Sequence, residues 1–87
     1  MDYIYKEGER ELLIESKKRE VSEGIINKLI EIRKQKEMTQ QQVADATGIK
    51  RSNIARIEGK KNTPTLDVLI KYAECLGMEL EISLKDK

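Results

Sequence analysis

Residues 49–61 concentrate side chains that can donate hydrogen bonds to anionic or polar groups. Ile49, Ile54 and Ile57 recur at a spacing that buries one face of a helix. The remaining faces and the following loop carry donors and cations, namely Lys50, Arg51, Ser52, Asn53, Arg56, Lys60 and Lys61. Such groups hydrogen-bond to phosphates and base edges, so the pattern is typical of a helix that lies in the major groove of DNA.

A second short helix is predicted directly before this one. Thr39 is a good N-cap, and Gln42, three residues later, completes a capping box, so the helix begins at Gln40. Met38 and Val43 occupy the two positions of a hydrophobic staple.

The end of this helix is predicted at a glycine turn. Gly48 can adopt the left-handed conformation that a helix C-cap requires. The small side chain of Ala44 allows the two helices to cross closely, and Thr47 adds a small contact beside it. The segment therefore predicts two short helices that meet at a sharp turn.

The motif MTQQQVADATGIKRSNIARIE, residues 38–58, resembles the helix-turn-helix of the lambda-repressor-like, Xre-type family, and the resemblance covers roughly residues 25–80. It implies a compact bundle of four or five helices that binds double-stranded DNA at a palindromic operator. The residues expected to contact DNA are Thr39, Gln40, Lys50, Arg51, Ser52, Asn53, Arg56, Lys60 and Lys61.

A narrower resemblance rests on IARIEG, PTLDVL and a C-terminal LEISL. These segments are similar to HigA-like antitoxins, which neutralise a RelE-fold toxin and repress their own operon. Lys50 departs from the family pattern, because this position often holds a Ser or Thr that caps the recognition helix.

The family resemblance also implies an ion pair between Arg33, near the end of the first helix, and Glu58, the last residue of the recognition helix. Such a pair would fix the orientation of one helix against the other. The alternative is two exposed, unrelated charges.

Composition limits the other possibilities. With 87 residues, the chain is one small domain plus arms, and dimerisation would compensate for its modest core. No apolar run approaches 18 residues and no signal peptide is recognisable, so a cytoplasmic protein without a membrane span is expected. His is absent and Cys75 is the only cysteine, so no metal site is expected, and Cys75 is predicted to have a buried apolar role, with an exposed or reactive thiol as the alternative. No cofactor is assigned, because no motif in the sequence indicates one.

The net charge of +1 is unevenly distributed. Residues 1–24 and 66–87 each carry a net charge of −2, whereas residues 25–65 carry +5. A basic patch around the helix-turn-helix is the expected footprint of phosphate binding. The alternative, for Lys34, Lys36, Lys60 and Lys61, is a merely solvated surface.

The elements around the motif follow from capping residues and apolar spacing. Ser22 predicts the start of a first helix over residues 23–37, with Ile25, Ile26, Leu29, Ile30 and Arg33 at helical spacing. Thr65 predicts the start of a fourth helix that Gly77 closes, with an apolar face formed by Leu66, Leu69, Tyr72, Ala73 and Leu76. The fold class is therefore mainly α, with a helix-turn-helix domain at 23–78.

Residues 79–87 predict a short β-strand for dimerisation, because Leu80, Ile82 and Leu84 alternate with polar side chains. Its partner is either the same strand of a second copy or Tyr3-Ile4-Tyr5. Residues 1–22 are expected to form a charged arm or helix. Glu9 to Arg19 is rich in helix formers and either binds a partner protein or only solubilises the domain.

The favoured function is a sequence-specific, dimeric repressor, in particular the antitoxin of an operon that it represses. One alternative is an interaction module that mainly neutralises a toxin through the N-terminal arm, and another is a stand-alone phage or plasmid-type repressor. An enzyme is not expected, because the chain lacks His and a Gly-rich phosphate loop, and its carboxylates are predicted on solvated helix faces.

Overall fold

The structure is a computed structural model that describes the backbone of residues 7–86 and the side chains of residues 10–86. Within this range it contains four helices: α1 (Glu7–Gln35), α2 (Gln40–Thr47), α3 (Arg51–Glu58) and α4 (Leu66–Cys75). The predicted mainly helical bundle is confirmed. The segment Tyr3-Ile4-Tyr5 lies outside the described residues.

Helix α1 is longer than the sequence predicted. It runs without interruption through 29 residues, so the helix start predicted at Ser22 is wrong, and Ser22 is instead a buried residue in the helix interior. Ser is a good cap but also tolerable within a helix, and the helix-forming residues before it carry the helix across this position. At 1.5 Å per residue, α1 is about 43 Å long, which is close to the longest dimension of the molecule, 47 Å.

The end of α1 is a tight turn without a glycine. Glu37 adopts a left-handed conformation with φ of 56°. The backbone N–H of Met38 donates to the carbonyl of Arg33 at 3.0 Å, and that of Glu37 donates to the carbonyl of Lys34 at 3.0 Å. These two bonds are those of a Schellman motif, so the chain reverses directly into α2.

The core lies between the second half of α1 and the three short helices. Its ten buried hydrophobic residues are Ile26, Leu29, Val43, Ala44, Ile54, Ile57, Leu69, Tyr72, Ala73 and Leu76. Leu66 was predicted on this apolar face, but it is 52% exposed because it is the first residue of α4 and lies at the edge of the bundle. Every residue from 10 to 21 of α1 is exposed, so the first half of the helix projects from the body.

The C-terminal tail, residues 78–86, forms neither a helix nor a strand in the described part of the chain. Leu80 packs against the core, Ile82 is largely exposed and Leu84 is almost fully exposed. The strand predicted within residues 79–87 is not formed in the described residues 79–86 of the single chain, and it stays a prediction. No helix in residues 7–86 is both long enough and apolar enough to cross a membrane.

Candidate nucleic-acid interface

The start of α2 is fixed by reciprocal capping hydrogen bonds. The backbone N–H of Gln42 donates to Thr39 Oγ1 at 3.0 Å, and the backbone N–H of Thr39 donates to Gln42 Oε1 at 2.8 Å. The predicted capping box is therefore present, and α2 begins at Gln40 as expected. This fastens the first turn of α2 to the residue before it.

The turn between α2 and α3 depends on one glycine. Gly48 has φ of 77°, a conformation that other residues adopt at a steric cost, and its N–H donates to the carbonyl of Ala44 at 2.9 Å. Val43 and Ala44 of α2 are buried with Ile54 of α3 in one cluster. The turn and this packing set the direction of α3, which turns its polar side outward.

The outer side of α3 holds the groups predicted to contact DNA. Lys50, Arg51, Ser52, Asn53 and Arg56 are all exposed. No salt bridge within the described residues involves the three cations of this set, so their charges remain available to an anionic partner. Lys50 is the N-cap of α3, but its side chain makes no capping hydrogen bond. This agrees with its residue type, because a lysine side chain has no hydrogen-bond acceptor.

The loop after α3 adds two more exposed lysines. Lys60, not Gly59, takes the left-handed conformation, with φ of 57°. Gly59 favours close packing instead, because a Cβ atom there would lie 3.2 Å from the carbonyl oxygen of Ala55, a tighter contact than is usual. The backbone N–H of Lys61 donates to the carbonyl of Arg56 at 3.0 Å, so the turn holds both lysines next to the end of α3.

A polar cluster under this surface joins all four helices at the carboxylate of Glu58, the last residue of α3. Arg33 of α1 binds it with two parallel hydrogen bonds, Nε to Oε2 at 2.9 Å and Nη2 to Oε1 at 2.9 Å. Gln40 of α2 donates to Oε1 at 3.1 Å, and the hydroxyl of Tyr72 in α4 donates to Oε2. A carboxylate has about four lone-pair sites, and here each oxygen accepts two hydrogen bonds.

This cluster, which we call the Glu58 cluster (Arg33, Gln40, Glu58 and Tyr72), also reaches the backbone. The third nitrogen of the Arg33 guanidinium, Nη1, donates to the carbonyl of Met38 at 2.7 Å, directly before α2. The side chains of Arg33 and Glu58 are only 10% and 8% exposed. Among the described residues, no buried side-chain nitrogen or oxygen lacks a hydrogen-bond partner. The cluster therefore fixes the orientation of α2 and α3 relative to the other two helices.

The ionisation of the cluster follows from these contacts. Burial opposes the charge on Glu58 most strongly, but the hydrogen bonds from Arg33, Tyr72 and Gln40 outweigh burial and lower the pKa of Glu58 below its ordinary value. The hydrogen bond to Glu58 raises the pKa of Arg33. Burial, followed by the hydrogen bond to the carboxylate, raises the pKa of Tyr72. At neutral pH the cluster thus holds one buried ion pair with a neutral tyrosine.

Two predicted DNA contacts have other partners in the free chain. The Thr39 hydroxyl accepts the capping hydrogen bond of α2, and the Gln40 amide donates to Glu58. The Gln40 amide retains a second N–H, so its orientation is set by Glu58 while one donor stays free.

Sequence reasoning missed the polar role of Tyr72, which was placed on an apolar face. A hint was available, because a buried tyrosine hydroxyl usually needs a hydrogen-bond partner. The ring of Tyr72 is buried, as the apolar pattern predicted, while its hydroxyl completes the carboxylate shell of Glu58.

Cys75 is partly buried, and its thiol donates to the carbonyl of Tyr72 at 3.0 Å. Burial raises the pKa of this thiol, which disfavours the reactive thiolate. In the part of the chain that the structure describes, no group of three or more His, Cys, Asp or Glu side chains is arranged to hold a metal ion.

An N-capped helix, a left-handed glycine turn and a second helix with an unpaired polar face define a helix-turn-helix DNA-binding domain. The sequence profile of the helix-turn-helix family matches residues 29–82, more than half of the chain. The protein belongs to this family, in its lambda-repressor-like, Xre-type branch.

A relative in Haemophilus influenzae is 34% identical over 80 residues, which cover 90% of this chain and 82% of the relative. It is described as an uncharacterized HTH-type transcriptional regulator. No solved structure matches the chain. The fold, the family and this relative together identify the protein as a DNA-binding transcriptional regulator.

Proposed function

We propose that the protein is a sequence-specific repressor that binds a palindromic operator as a two-fold dimer, with α3 in the major groove. The observation that carries this proposal is the outer face of α3 and its following loop, where five exposed cations have no partner in the described chain: Lys50, Arg51, Arg56, Lys60 and Lys61. A single domain of this size reads few base pairs, so a dimer with recognition helices about 34–36 Å apart is needed for selectivity.

Base reading is assigned to Arg51 and Ser52, which lie exposed in the first turn of α3. A good base contact is worth about 1–3 kcal/mol, so Arg51→Ala should relax the preference at one base pair of each half-site. The measurement is a titration against the upstream DNA of the gene and against random DNA. Arg10→Ala, which removes the same charge from the projecting part of α1, is the matched control. Equal weakening on both DNAs would show that Arg51 does not read bases.

Phosphate binding is assigned to Lys60 and Lys61. The logarithm of affinity should fall with the logarithm of salt concentration with a slope of about −0.9 per phosphate neutralised, and Lys60→Ala should reduce this slope by about one unit. Sequence preference should not change in this variant. An unchanged salt slope would remove Lys60 from the phosphate contacts.

The dimer interface is assigned to the C-terminal tail, because Leu80, Ile82 and Leu84 alternate and the last two are exposed in the single chain. An unpaired apolar strand is an aggregation hazard unless it finds a partner. Deleting Glu79 to Lys87 should leave the helices folded but weaken dimerisation and operator binding together. Sedimentation of the truncated chain at low micromolar concentration is the test, and a fully dimeric truncated chain would place the interface elsewhere.

A more specific version of the proposal makes this repressor a HigA-like antitoxin of a RelE-fold toxin. It is supported by the IARIEG, PTLDVL and LEISL segments. Co-expression with a small basic protein from the neighbouring gene should relieve the growth arrest caused by that protein. Without a toxic neighbour, a stand-alone repressor is the better assignment.

A further inference from the structure

The projecting half of α1 forms one side of a largely apolar groove of about 460 Å³. The opposite side consists of the start of α4 and the C-terminal tail. Four large apolar side chains that line this groove are each more than half exposed: Ile14, Val21, Leu66 and Ile82. We call it the α1–tail groove. Contiguous apolar surface of this kind on a small domain is typical of an interaction site.

The exposure of the projecting half of α1 also favours binding to a partner. Residues 10–21 are all exposed, so this stretch gains little stability from packing against the core. Isolated helices shorter than about 12–15 residues are marginal in water, because most helical stability in proteins comes from packing. Leu12, Leu13 and Ile14 nevertheless stand in the middle of the stretch, all more than half exposed.

The charge on the groove indicates what fills it. Within residues 10–86, the only charged side chains that line the α1–tail groove are those of Lys17 and Lys18, so its described rim is basic. Their intrahelical pairs with Glu20 at 3.7 Å and Glu15 at 3.4 Å are exposed and therefore weak. A complementary occupant combines apolar side chains with flanking carboxylates.

The first part of α1 has the properties of such an occupant. Residues 11–15 read Glu-Leu-Leu-Ile-Glu, and residues 7–15 have a net charge of −3, whereas Lys17, Lys18 and Arg19 give +3. Two α1 helices in antiparallel order bring each acidic segment onto the basic segment of the other. Parallel order would superimpose like charges. In a two-fold dimer both contacts form at once.

We infer that the α1–tail groove binds a second copy of the chain, with the projecting halves of the two α1 helices antiparallel and residues 11–15 of each copy against Lys17 and Lys18 of the other. This inference extends the proposed dimer from the tail to α1. The two surfaces are continuous, because Ile82 of the tail lines the same groove. The α3 face takes no part in this contact, so the inference and DNA binding can be tested separately.

The first test exchanges charges. Glu11→Lys/Glu15→Lys makes the projecting helix basic, and Lys17→Glu/Lys18→Glu makes it acidic. Each variant alone should dimerise about tenfold more weakly than the wild type, because like charges then face each other. An equimolar mixture at low salt should restore association as a heterodimer, measured by sedimentation with one variant fluorescently labelled.

The outcomes of this experiment are distinct. Rescue in the mixture supports the antiparallel pairing, and it should weaken at high salt. Dimerisation that is unchanged in both variants, or lost in both without rescue, overturns the inference. Circular dichroism of each variant at low concentration shows whether the exposed substitutions leave the helices folded.

The second test compares two positions on the same helix. Ile14→Lys places a charge in the groove, whereas Ser16→Lys adds the same charge at an exposed position of α1 that neither lines the groove nor belongs to residues 11–15. Ile14→Lys should weaken dimerisation at least tenfold, and Ser16→Lys should retain it. Equal effects of the two substitutions would exclude this groove as the interface.

DNA binding gives the independent readout. Because no residue of α3 lines the groove, the monomeric Ile14→Lys chain should still bind random DNA in a salt-dependent way. Its salt slope should be smaller than that of the dimeric wild type, because one domain neutralises fewer phosphates than two. If DNA binding were absent in the wild type as well, the proposed function would be wrong while the dimer contact could still be present.

Discussion

The two halves of α1 differ in what stabilises them. The second half packs against the core of its own chain, whereas the first half is exposed and is proposed to pack against a second copy. The second half contributes Ile26, Leu29 and Arg33 to the body, and all three are largely buried. The first half carries Leu12, Leu13 and Ile14, which are each more than half exposed. Both halves carry apolar side chains, but only those of the second half recur at helical spacing and are buried against the body.

The ion pairs of the two halves differ in the same way. Arg33 and Glu58 form a bidentate pair with side chains that are almost completely buried, whereas Lys18 and Glu15 form a pair at 3.4 Å with side chains that are more than half exposed. An exposed pair contributes little to stability, but removal of one partner of a buried pair leaves an uncompensated charge. This comparison leads to four predictions.

The largest effect is expected from Arg33→Ala, which leaves the Glu58 carboxylate without its cation. Loss of one partner of a buried pair costs about 3–5 kcal/mol in the free energy of unfolding. Lys18→Ala, the matched change in the projecting half, should cost less than about 0.5 kcal/mol. Urea denaturation at a protein concentration at which the wild type and both variants are monomeric measures both costs. Similar costs for the two variants would mean that burial does not distinguish the pairs.

Two leucines of α1 provide the next comparison. Leu29 is 4% exposed and Leu12 is 73% exposed. Leu29→Ala should lower the free energy of unfolding by about 2–5 kcal/mol, because it leaves a cavity in the core. Leu12→Ala should change it by no more than about 0.5 kcal/mol. The test is thermal denaturation at a concentration at which the chain is monomeric, and it would contradict the comparison if Leu12→Ala were as destabilising as Leu29→Ala.

Tyr72→Phe removes one hydroxyl and preserves the buried ring. A hydrogen bond to a charged group is worth about 1.5–3 kcal/mol, and this is the expected loss of stability at neutral pH. The pH dependence should change as well. The folded state lowers the pKa of Glu58 below 4.5, so its contribution is complete above pH 4.5 and is lost as the pH falls through the folded pKa.

In Tyr72→Phe one of the contacts that lower the pKa of Glu58 is missing, so acid destabilisation should begin at a higher pH than in the wild type. Denaturation series between neutral and acidic pH would reveal the shift. If the two proteins lost stability at the same pH, Tyr72 would not help to keep Glu58 ionised.

The smallest effects are expected at two residues that the sequence predicts to be helix caps, Thr39 and Ser22. Thr39→Ala removes a cap that is present in the structure and should cost about 1 kcal/mol. Ser22 lies inside α1, so Ser22→Ala removes no cap and should change stability by no more than about 0.5 kcal/mol. Denaturation curves of the two variants decide the matter. A cap-sized loss in Ser22→Ala would indicate that α1 is interrupted at this residue.

The helix-turn-helix was predictable from sequence because its signals are local. Thr39, Gln42 and Gly48 act through hydrogen bonds and backbone angles that involve only neighbouring residues, and α2 and α3 have the predicted bounds. Ser22 gave the wrong helix start because the same residue type can cap a helix or continue one, and the choice depends on the residues around it.

The sequence by itself therefore determined the family, the two short helices and the polar face of α3, because these depend on spacing within a few residues. Only the tertiary structure decided that Gln40 and Tyr72 share the carboxylate of Glu58 with Arg33, since their side chains come from three different helices. It also decided that half of α1 projects from the body. Which apolar residues are covered depends on how the helices pack, and that arrangement is a property of the whole chain.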